Sequence, residues 1–188
     1  MPTLVIEAFG SPQTQGSTRA FVKGGKAIVT SDNTALAPWR DTVTWAARNA
    51  LTRESAWVQA AGPVRVDTTF WLRRPASAPK TRDILPVTGK DVDKLLRSIL
   101  DSLTNAGVWV DDSRVCAGEF AKRYAVGPHL PKIYIEGFHW PQPGVRVVVT
   151  TIDETGIQPL DAPTLENTSW QPRLSPTPPP SPTPTPAK

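Results

Sequence analysis

Hydrophobic and polar residues alternate at two different periods along the chain, and each period predicts a different kind of element. Residues 64–72 carry hydrophobic side chains or threonine at every second position, which is typical of a half-buried strand. Residues 92–103 instead repeat hydrophobic side chains at spacings of three and four, which indicates an amphipathic helix. The pattern therefore predicts a domain that contains both strands and helices.

Weaker signals supply the remaining elements. A second helix is predicted from Pro38 to about Trp57, because proline suits a first helical turn and an apolar stripe follows it. Gly24-Gly25 predicts a two-residue hairpin turn, since both positions tolerate positive φ. Further strands are predicted at 4–9, 20–23, 26–30, 108–110, 119–126, 132–136 and 145–150.

Length and composition set the domain organisation. The 188 residues suffice for one domain with its own core. We expect a folded domain over 1–150, an irregular extension over 151–170, and a disordered tail over 171–188, where prolines alternate with serine and threonine. No stretch approaches 18 apolar residues, and a single cysteine, Cys116, excludes an internal disulfide. These features predict a cytoplasmic protein with no membrane association.

The charge balance favours a polyanionic partner, and nucleic acid first among such partners. Residues 1–150 contain 19 Lys or Arg against 13 Asp or Glu. Lys23 and Lys26 flank the predicted hairpin turn, which is either a solvated turn or a basic finger on a phosphate backbone. A mobile basic loop is predicted after residue 72, because its prolines prevent regular structure. The basic residues between 73 and 97 are Arg73, Arg74, Lys80, Arg82, Lys90, Lys94 and Arg97.

Five aspartates lie close together in the sequence, at positions 91, 93, 101, 111 and 112. Asp91 is placed to cap the helix, and Asp93, Arg97 and Asp101 line its polar face with Lys94 and Ser98 beside them. Asp91 and Asp93, with Asp111 or Asp112 from a neighbouring strand, could hold a magnesium ion with open positions for a phosphodiester oxygen and a water. Alternatively, these residues form caps, a turn and surface ion pairs worth about 0.3–0.5 kcal/mol each. Spacing alone leaves both interpretations open.

Three short motifs resemble the signature of a known family. These motifs are Asp91-Val-Asp93-x-Leu-Leu-Arg97, Leu100-Asp101-Ser-Leu103, and Ala106-Gly107-Val-Trp109-Val-Asp111-Asp112. They closely resemble the signature of the RusA family of Holliday-junction resolvases, which runs D-x-D-N-L-x-K, D-A-L, then W-x-D-D. Residues 12–21 and Trp39-Arg40 also look like the N-terminal region of phage-borne members. The resemblance covers roughly residues 3–150.

The resemblance implies a fold, an activity and a location. The fold would be RusA-like α+β, with a mixed sheet and two main helices, in a homodimer. The activity would be that of a magnesium-dependent endonuclease that nicks four-way and other branched DNA symmetrically during DNA recombination and repair. Mn²⁺ could substitute for Mg²⁺, and no small-molecule cofactor is expected. The location would be the cytoplasm of a bacterial cell or of a host infected by a bacteriophage.

The resemblance also assigns residues. Catalytic roles fall on Asp91, Asp93, Asp112 and Arg97, and metal ligation falls on Asp91, Asp93 and Asp112 with Asp111 as an adjacent candidate. The basic residues expected to bind DNA are Arg19, Lys23, Lys26, Arg73, Arg74, Lys80, Arg82, Lys90 and Lys94.

Two positions depart from the family signature. Lys94 replaces an asparagine, and Arg97 replaces a lysine. Arginine keeps the positive charge but not the compact ammonium, so contact with a developing negative charge is expected and proton transfer is not. Two other classes therefore stay in view: a catalytically weak or silent branched-DNA-binding protein, and a transferase that uses Asp91-Val-Asp93 to hold a metal-nucleotide.

Overall fold

A computed structural model describes residues 1–16, 18–31, 33–126 and 140–153, with the backbone alone for residues 18–23 and 26–31. The strand predicted at 132–136 and the predicted tail lie outside the described residues. In chain order the elements are strands β1 (Thr3–Phe9), β2 (Thr18–Lys23) and β3 (Lys26–Ser31), helix α1 (Leu36–Arg53), strand β4 (Val64–Leu72), helix α2 (Val92–Ala106), the 3₁₀ helix η1 (Asp112–Arg114), and strands β5 (Val115–Ala117), β6 (Phe120–Tyr124) and β7 (Gly144–Thr151).

The main sheet is mixed, as predicted. Strand β7 pairs antiparallel with β1 on one side and with β4 on the other. The other edge of β4 pairs parallel with β5 and then with β6. Alternate residues of β1 and β4 are buried, which matches the period-two pattern of the sequence. The α+β class is therefore confirmed.

The predicted hairpin is confirmed in its turn and its register. Strands β2 and β3 pair antiparallel, and Lys23 faces Lys26 as the last pair before the turn. Gly24 and Gly25 have φ values of 61° and 75°. Positive φ at both central residues matches the twist of the flanking strands, and glycine adopts it without steric cost.

Helix α2 buries a different face from the one its aliphatic residues predict. Leu95, Ile99 and Leu103 are fully buried as expected, but Ser98 and Ser102 are fully buried with them. The Ser98 hydroxyl donates to the Leu95 carbonyl and the Ser102 hydroxyl to the Ser98 carbonyl, both at 2.7 Å. Each serine is thereby satisfied inside its own helix, so the placement of Ser98 on the polar face was wrong.

Three element boundaries differ from the predictions. Helix α1 ends at Arg53 rather than near Trp57, which is buried beyond the helix and donates its indole N–H to the Val108 carbonyl. Residues 108–110 form a single bridge from Ala60 to Trp109 and not a strand. Strand β5 was not predicted, because three residues are too few to display a period.

Candidate active site

The first turn of α2 presents two exposed carboxylates. Asp91 occupies the N-cap position with an extended backbone, and its carbonyl accepts the Leu95 N–H at 3.0 Å. Its carboxylate makes no capping hydrogen bond and lies 3.0 Å from the Lys94 ammonium instead. Asp93 makes no hydrogen bond or ion pair with any described residue. The predicted cap is thus correct in position only, and both carboxylates point to solvent.

Lys94 therefore neutralises one of the two carboxylates. Its hydrogen bond to Asp91 raises the pKa of the Lys94 ammonium, and the charge of Asp93 contributes in the same direction. An uncharged asparagine, as in the family signature, would leave the Asp91 carboxylate unpaired. A cation that binds at Asp91 would accordingly compete with the Lys94 ammonium for this carboxylate.

The other two predicted ligands, Asp111 and Asp112, lie at the start of η1. Their carboxylates differ in whether the chain already uses them for hydrogen bonds. The Asp111 carboxylate accepts the Ser113 backbone N–H at 3.0 Å, and hydrogen bonding with the Ser113 side chain, together with this N–H, lowers the pKa of Asp111. Asp111 is thus the cap of η1. Asp112 is exposed, and its carboxylate has no hydrogen bond or ion pair within the described part of the chain. Of this pair, Asp112 has the carboxylate that is free to bind a ligand.

The two acidic pairs lie at opposite ends of α2. Asp93 and Ala106 are separated by most of this 15-residue helix, which places them about 20 Å apart at 1.5 Å per residue. Trp109 lies beside the last turn, since its indole N–H donates to the Thr104 hydroxyl at 2.8 Å. Within the described ranges, no group of three or more His, Cys, Asp and Glu side chains could hold a metal ion. One chain therefore does not bring the four predicted ligands together.

Arg97 and Asp101 do not pair with each other on the polar face of α2. The Asp101 carboxylate lies 3.6 Å from Arg40 of α1 and accepts the Gln15 side-chain amide at 2.7 Å. Arg97 is exposed and has no ion pair with the described residues. Its guanidinium, one turn beyond Asp93, is available to a substrate.

Residues 12–15, which precede the hairpin, make hydrogen bonds with the residues at the start of α2. The Lys90 ammonium donates to the Pro12 carbonyl and to the Gln13 side-chain oxygen, and burial lowers the pKa of Lys90. The Gln15 N–H donates to the Lys94 carbonyl at 2.9 Å. Sequence reasoning missed the roles of Gln13 and Gln15. The resemblance of residues 12–21 to the family was the only signal that could have indicated them.

The basic loop between β4 and α2 is organised around Arg74. Its side chain is only 8% exposed, donates to the Pro79 and Arg82 carbonyls at 2.7 and 2.9 Å, and lies 3.5 Å from Asp83. Arg73, Lys80 and Arg82 are exposed. Arg19, Lys23 and Lys26 belong to the hairpin strands, whose side chains lie outside the description.

The donor set at the start of α2 fits a hard divalent cation. Magnesium is typically held by one or two carboxylates together with substrate phosphates and waters, rather than by a closed protein cage. Asp91 and Asp93 are oxygen donors that are exposed and are not used by the helix itself. They match an open site that a phosphate would complete.

An exposed acidic helix start thus follows a basic loop in this α+β fold. The family model for endodeoxyribonuclease RusA matches residues 10–136, which is more than half of the chain. The chain therefore belongs to the RusA family of endodeoxyribonucleases. Membership implies an endonuclease that resolves Holliday junctions and binds branched DNA, and enzymes of this type generally depend on a divalent metal.

Other comparisons add little. No curated protein matches the sequence. One similar solved structure is 2C-methyl-D-erythritol 2,4-cyclodiphosphate synthase from Plasmodium vivax, at 11% identity over 81% of this chain and 100% of that one, with a TM-score of 0.25. A score this low carries no argument about fold or function. Among the described residues, no helix is long and apolar enough to cross a membrane.

Proposed function

We propose that this chain is a magnesium-dependent, structure-specific endonuclease that resolves four-way and other branched DNA by paired, symmetric nicks as a homodimer. The observation that carries the proposal is the pair of exposed carboxylates, Asp91 and Asp93, at a helix start inside the family signature. Neither carboxylate is used in helix capping, and only that of Asp91 has an ion pair, with the exposed Lys94, among the described residues. Manganese, which accepts the same oxygen donors, is expected to substitute.

The residues at this end of α2 take distinct roles. Asp91 and Asp93 would hold the metal, which would supply an activated water and offset the negative charge that develops at phosphorus. Arg97, exposed one turn further along α2, binds a phosphoryl oxygen through its guanidinium and does not transfer a proton. Lys94 leaves Asp91 when the cation binds. Lys90 and Gln15 keep the helix start in place.

DNA binding is assigned to the exposed cations of the loop and to the basic residues of the hairpin strands. Arg73, Lys80 and Arg82 are exposed at the end of β4 and on the loop that leads to α2. Arg74 and Lys90 use their donors on carbonyl groups of the chain, so we assign them to the support of the loop rather than to phosphate contact. Arg19, Lys23 and Lys26 of the hairpin complete the proposed basic surface.

The salt dependence of junction binding tests this surface. Replacement of Lys80 and Arg82 together by glutamine should make the slope of log affinity against log salt shallower by about 2, because each lost phosphate contact removes about 0.9. Titration of a labelled junction over a range of salt concentrations measures the slope. Arg53→Gln, at the C-terminal end of α1, is the control and should leave the slope unchanged. An unchanged slope in the double variant would mean that the loop is only a solvated surface.

Replacement of Lys94 by asparagine should lower the magnesium requirement. Removal of the ammonium frees the Asp91 carboxylate, and an exposed pair of this kind corresponds to roughly a two- to fivefold shift. The magnesium concentration for half-maximal cleavage and the binding of Mn²⁺ by electron paramagnetic resonance without DNA both report the shift. Arg53→Asn removes one exposed positive charge at the end of α1 and should leave both values in place. Equal metal affinity in all three proteins would exclude competition by Lys94.

The ion pair between Lys94 and Asp91 also supports a second candidate function. Because Lys94 neutralises Asp91, a catalytically weak or silent branched-DNA-binding protein would fold and bind in the same way. A nicking assay with magnesium separates the two, since a silent protein binds the junction and leaves its strands intact. The metal-nucleotide transferase has no observation of this kind in its favour.

A further inference from the structure

An aromatic cluster of Phe9, Trp71 and Trp140 lies at one end of the main sheet. The Trp71 and Trp140 rings have centroids 4.3 Å apart at an interplanar angle of 30°, and the Phe9 and Trp140 rings have centroids 5.1 Å apart at 49°. Both tryptophans are only 7% exposed, whereas Phe9 is 46% exposed. The tryptophans therefore form a buried support for a phenylalanine ring that stays open to solvent.

The paired backbone fixes the position of the Phe9 ring. Phe9 is the last residue of β1 and pairs with Gly144 of β7, which pairs in turn with Trp71 of β4. A Cβ at position 144 would lie 2.5 Å from the Ala8 carbonyl oxygen and 3.3 Å from the Phe9 Cα, so glycine permits this close approach of the two strands. The exposed ring is therefore carried by the sheet and not by a loop.

Exposed positive charge lies next to the aromatic cluster. Arg73 is exposed two residues beyond Trp71, where the basic loop leaves β4. Glu7, on the same face of β1 as Phe9, is paired with Arg146 at 3.4 Å, so its carboxylate is neutralised. An exposed ring beside cations is the arrangement that binds unpaired nucleotides, because the ring stacks on a base while the cations contact phosphates.

The aromatic cluster lies at the end of the sheet that holds the start of α2. Pro12, three residues after Phe9 and thus at most about 11 Å from it along the backbone, accepts a hydrogen bond from the Lys90 ammonium. Lys122 of β6 donates to the Lys90 carbonyl at 2.9 Å. Lys90 directly precedes Asp91, so the exposed ring and the candidate metal site can contact one branched DNA molecule together.

We infer that Phe9 is a stacking platform for an unpaired base at the branch point of DNA. This inference rests on the proposed action of the chain on branched DNA. The phenylalanine side chain has no hydrogen-bonding group, so its ring recognises the face of a base and not its sequence-specific edge. In a linear duplex each base is stacked on its neighbours, whereas a base at a branch point leaves its stack at lower cost. The platform therefore favours branched over linear DNA without reading sequence.

Replacement of Phe9 by leucine tests the platform through binding selectivity, measured with Ca²⁺ in place of Mg²⁺. Leucine still packs against Trp140 but has no aromatic face. Affinity for a four-way junction should fall at least about fivefold, and affinity for a linear duplex of the same sequence should not change. Phe9→Tyr keeps the ring and should keep the wild-type ratio of the two affinities.

Val5→Ala is the matched control, because Val5 lies on the same face of β1 and is 41% exposed. It should leave both affinities unchanged. Thermal unfolding of each variant establishes that it is folded. An equal loss on both substrates in Phe9→Leu would assign Phe9 to packing alone, and an unchanged junction affinity would show that no base stacks on it. Either result would overturn the platform.

Photo-cross-linking tests the same contact in the full-length wild-type chain, so that no variant needs to fold. The photoreactive base 5-iodouracil is placed in turn at each position of the branch point, or within one paired arm of the junction. Each complex is irradiated with Ca²⁺ in place of Mg²⁺. We expect a covalent link to Phe9, located by mass spectrometry of peptides, from a branch-point base only. No link to Phe9, or an equal link from the arm, would contradict the stacking contact.

The two experiments separate failure of this inference from failure of the proposed function. A wild-type chain that cuts junctions, with no cross-link at Phe9 and unchanged selectivity in Phe9→Leu, would overturn the platform and leave the nuclease function intact. A wild-type chain that forms the cross-link but cuts no branched DNA with magnesium would overturn the nuclease proposal and retain the platform. A folded chain that binds no junction would overturn both.

Discussion

Asp93→Asn is expected to reduce cleavage of a four-way junction by at least about 100-fold while junction affinity stays within about threefold. Asparagine preserves the shape of the side chain but removes the negative charge that a cation requires. The Asp93 carboxylate has no hydrogen bond or ion pair among the described residues, so the substitution removes only its electrostatic interaction with Lys94 from the folded chain. The loss should therefore fall on the chemical step.

Single-turnover cleavage with saturating enzyme and magnesium isolates that step. Binding is measured separately with Ca²⁺ in place of Mg²⁺, so that the junction stays intact. Asp41→Asn removes one exposed carboxylate from α1 and should leave both values unchanged. If Asp93→Asn reduced binding and cleavage to the same extent in a folded protein, Asp93 would be a contact to DNA and not a metal ligand.

Gly118→Ala should produce the largest loss of stability among glycine-to-alanine substitutions in the described part of the chain. A Cβ at position 118 would lie 2.1 Å from the Val66 carbonyl oxygen, so the backbone of β4 or of the β5–β6 connection must move. Steric overfilling of a packed site costs about 1–3 kcal/mol, and a clash between two backbones lies at or above the upper end. For a chain of this size we expect the melting temperature to fall by roughly 5–10 °C.

Gly62→Ala is the matched control, because a Cβ at Gly62 meets nothing within 4 Å. Thermal unfolding of the wild type, Gly118→Ala and Gly62→Ala measures the difference in melting temperature. Gly118→Ala should also weaken cleavage, because it disturbs the start of β6. Lys122 of β6 donates a hydrogen bond to the carbonyl of Lys90, the residue before Asp91. Equal melting temperatures for the two alanine variants would mean that the β5–β6 connection adapts without strain.

Local chemistry made several elements predictable from the sequence. Gly24-Gly25 specifies its hairpin turn because few other residues accept two successive positive φ values. The spacing of Leu95, Ile99 and Leu103 specifies the buried stripe of α2. The burial of Ser98 was not predicted, because a hydrophobicity pattern does not reveal that its hydroxyl hydrogen-bonds to a carbonyl of its own helix.

The candidate site was predictable in its parts but not in its assembly. Spacing placed Asp91 at the helix start, and the family signature identified its chemistry. The Lys90 ammonium donates to the Pro12 carbonyl, which the fold brings from another segment, and the Arg74 guanidinium donates to carbonyls of its own loop, so a count of charges predicted exposure instead. The separation of Asp93 from Asp112 follows from the way β4, α2 and β5 are connected, and spacing in the sequence does not reveal it.

The most direct test of the central claim is cleavage of matched four-way, three-way and linear duplex DNA by the full-length chain with magnesium. The three substrates share one strand sequence, so that only branching differs. We predict nicks at symmetric positions across the four-way junction, weaker cleavage of the three-way form and none of the linear duplex, all lost with EDTA. Equal cleavage of all three substrates, or tight junction binding with intact strands, would contradict the account.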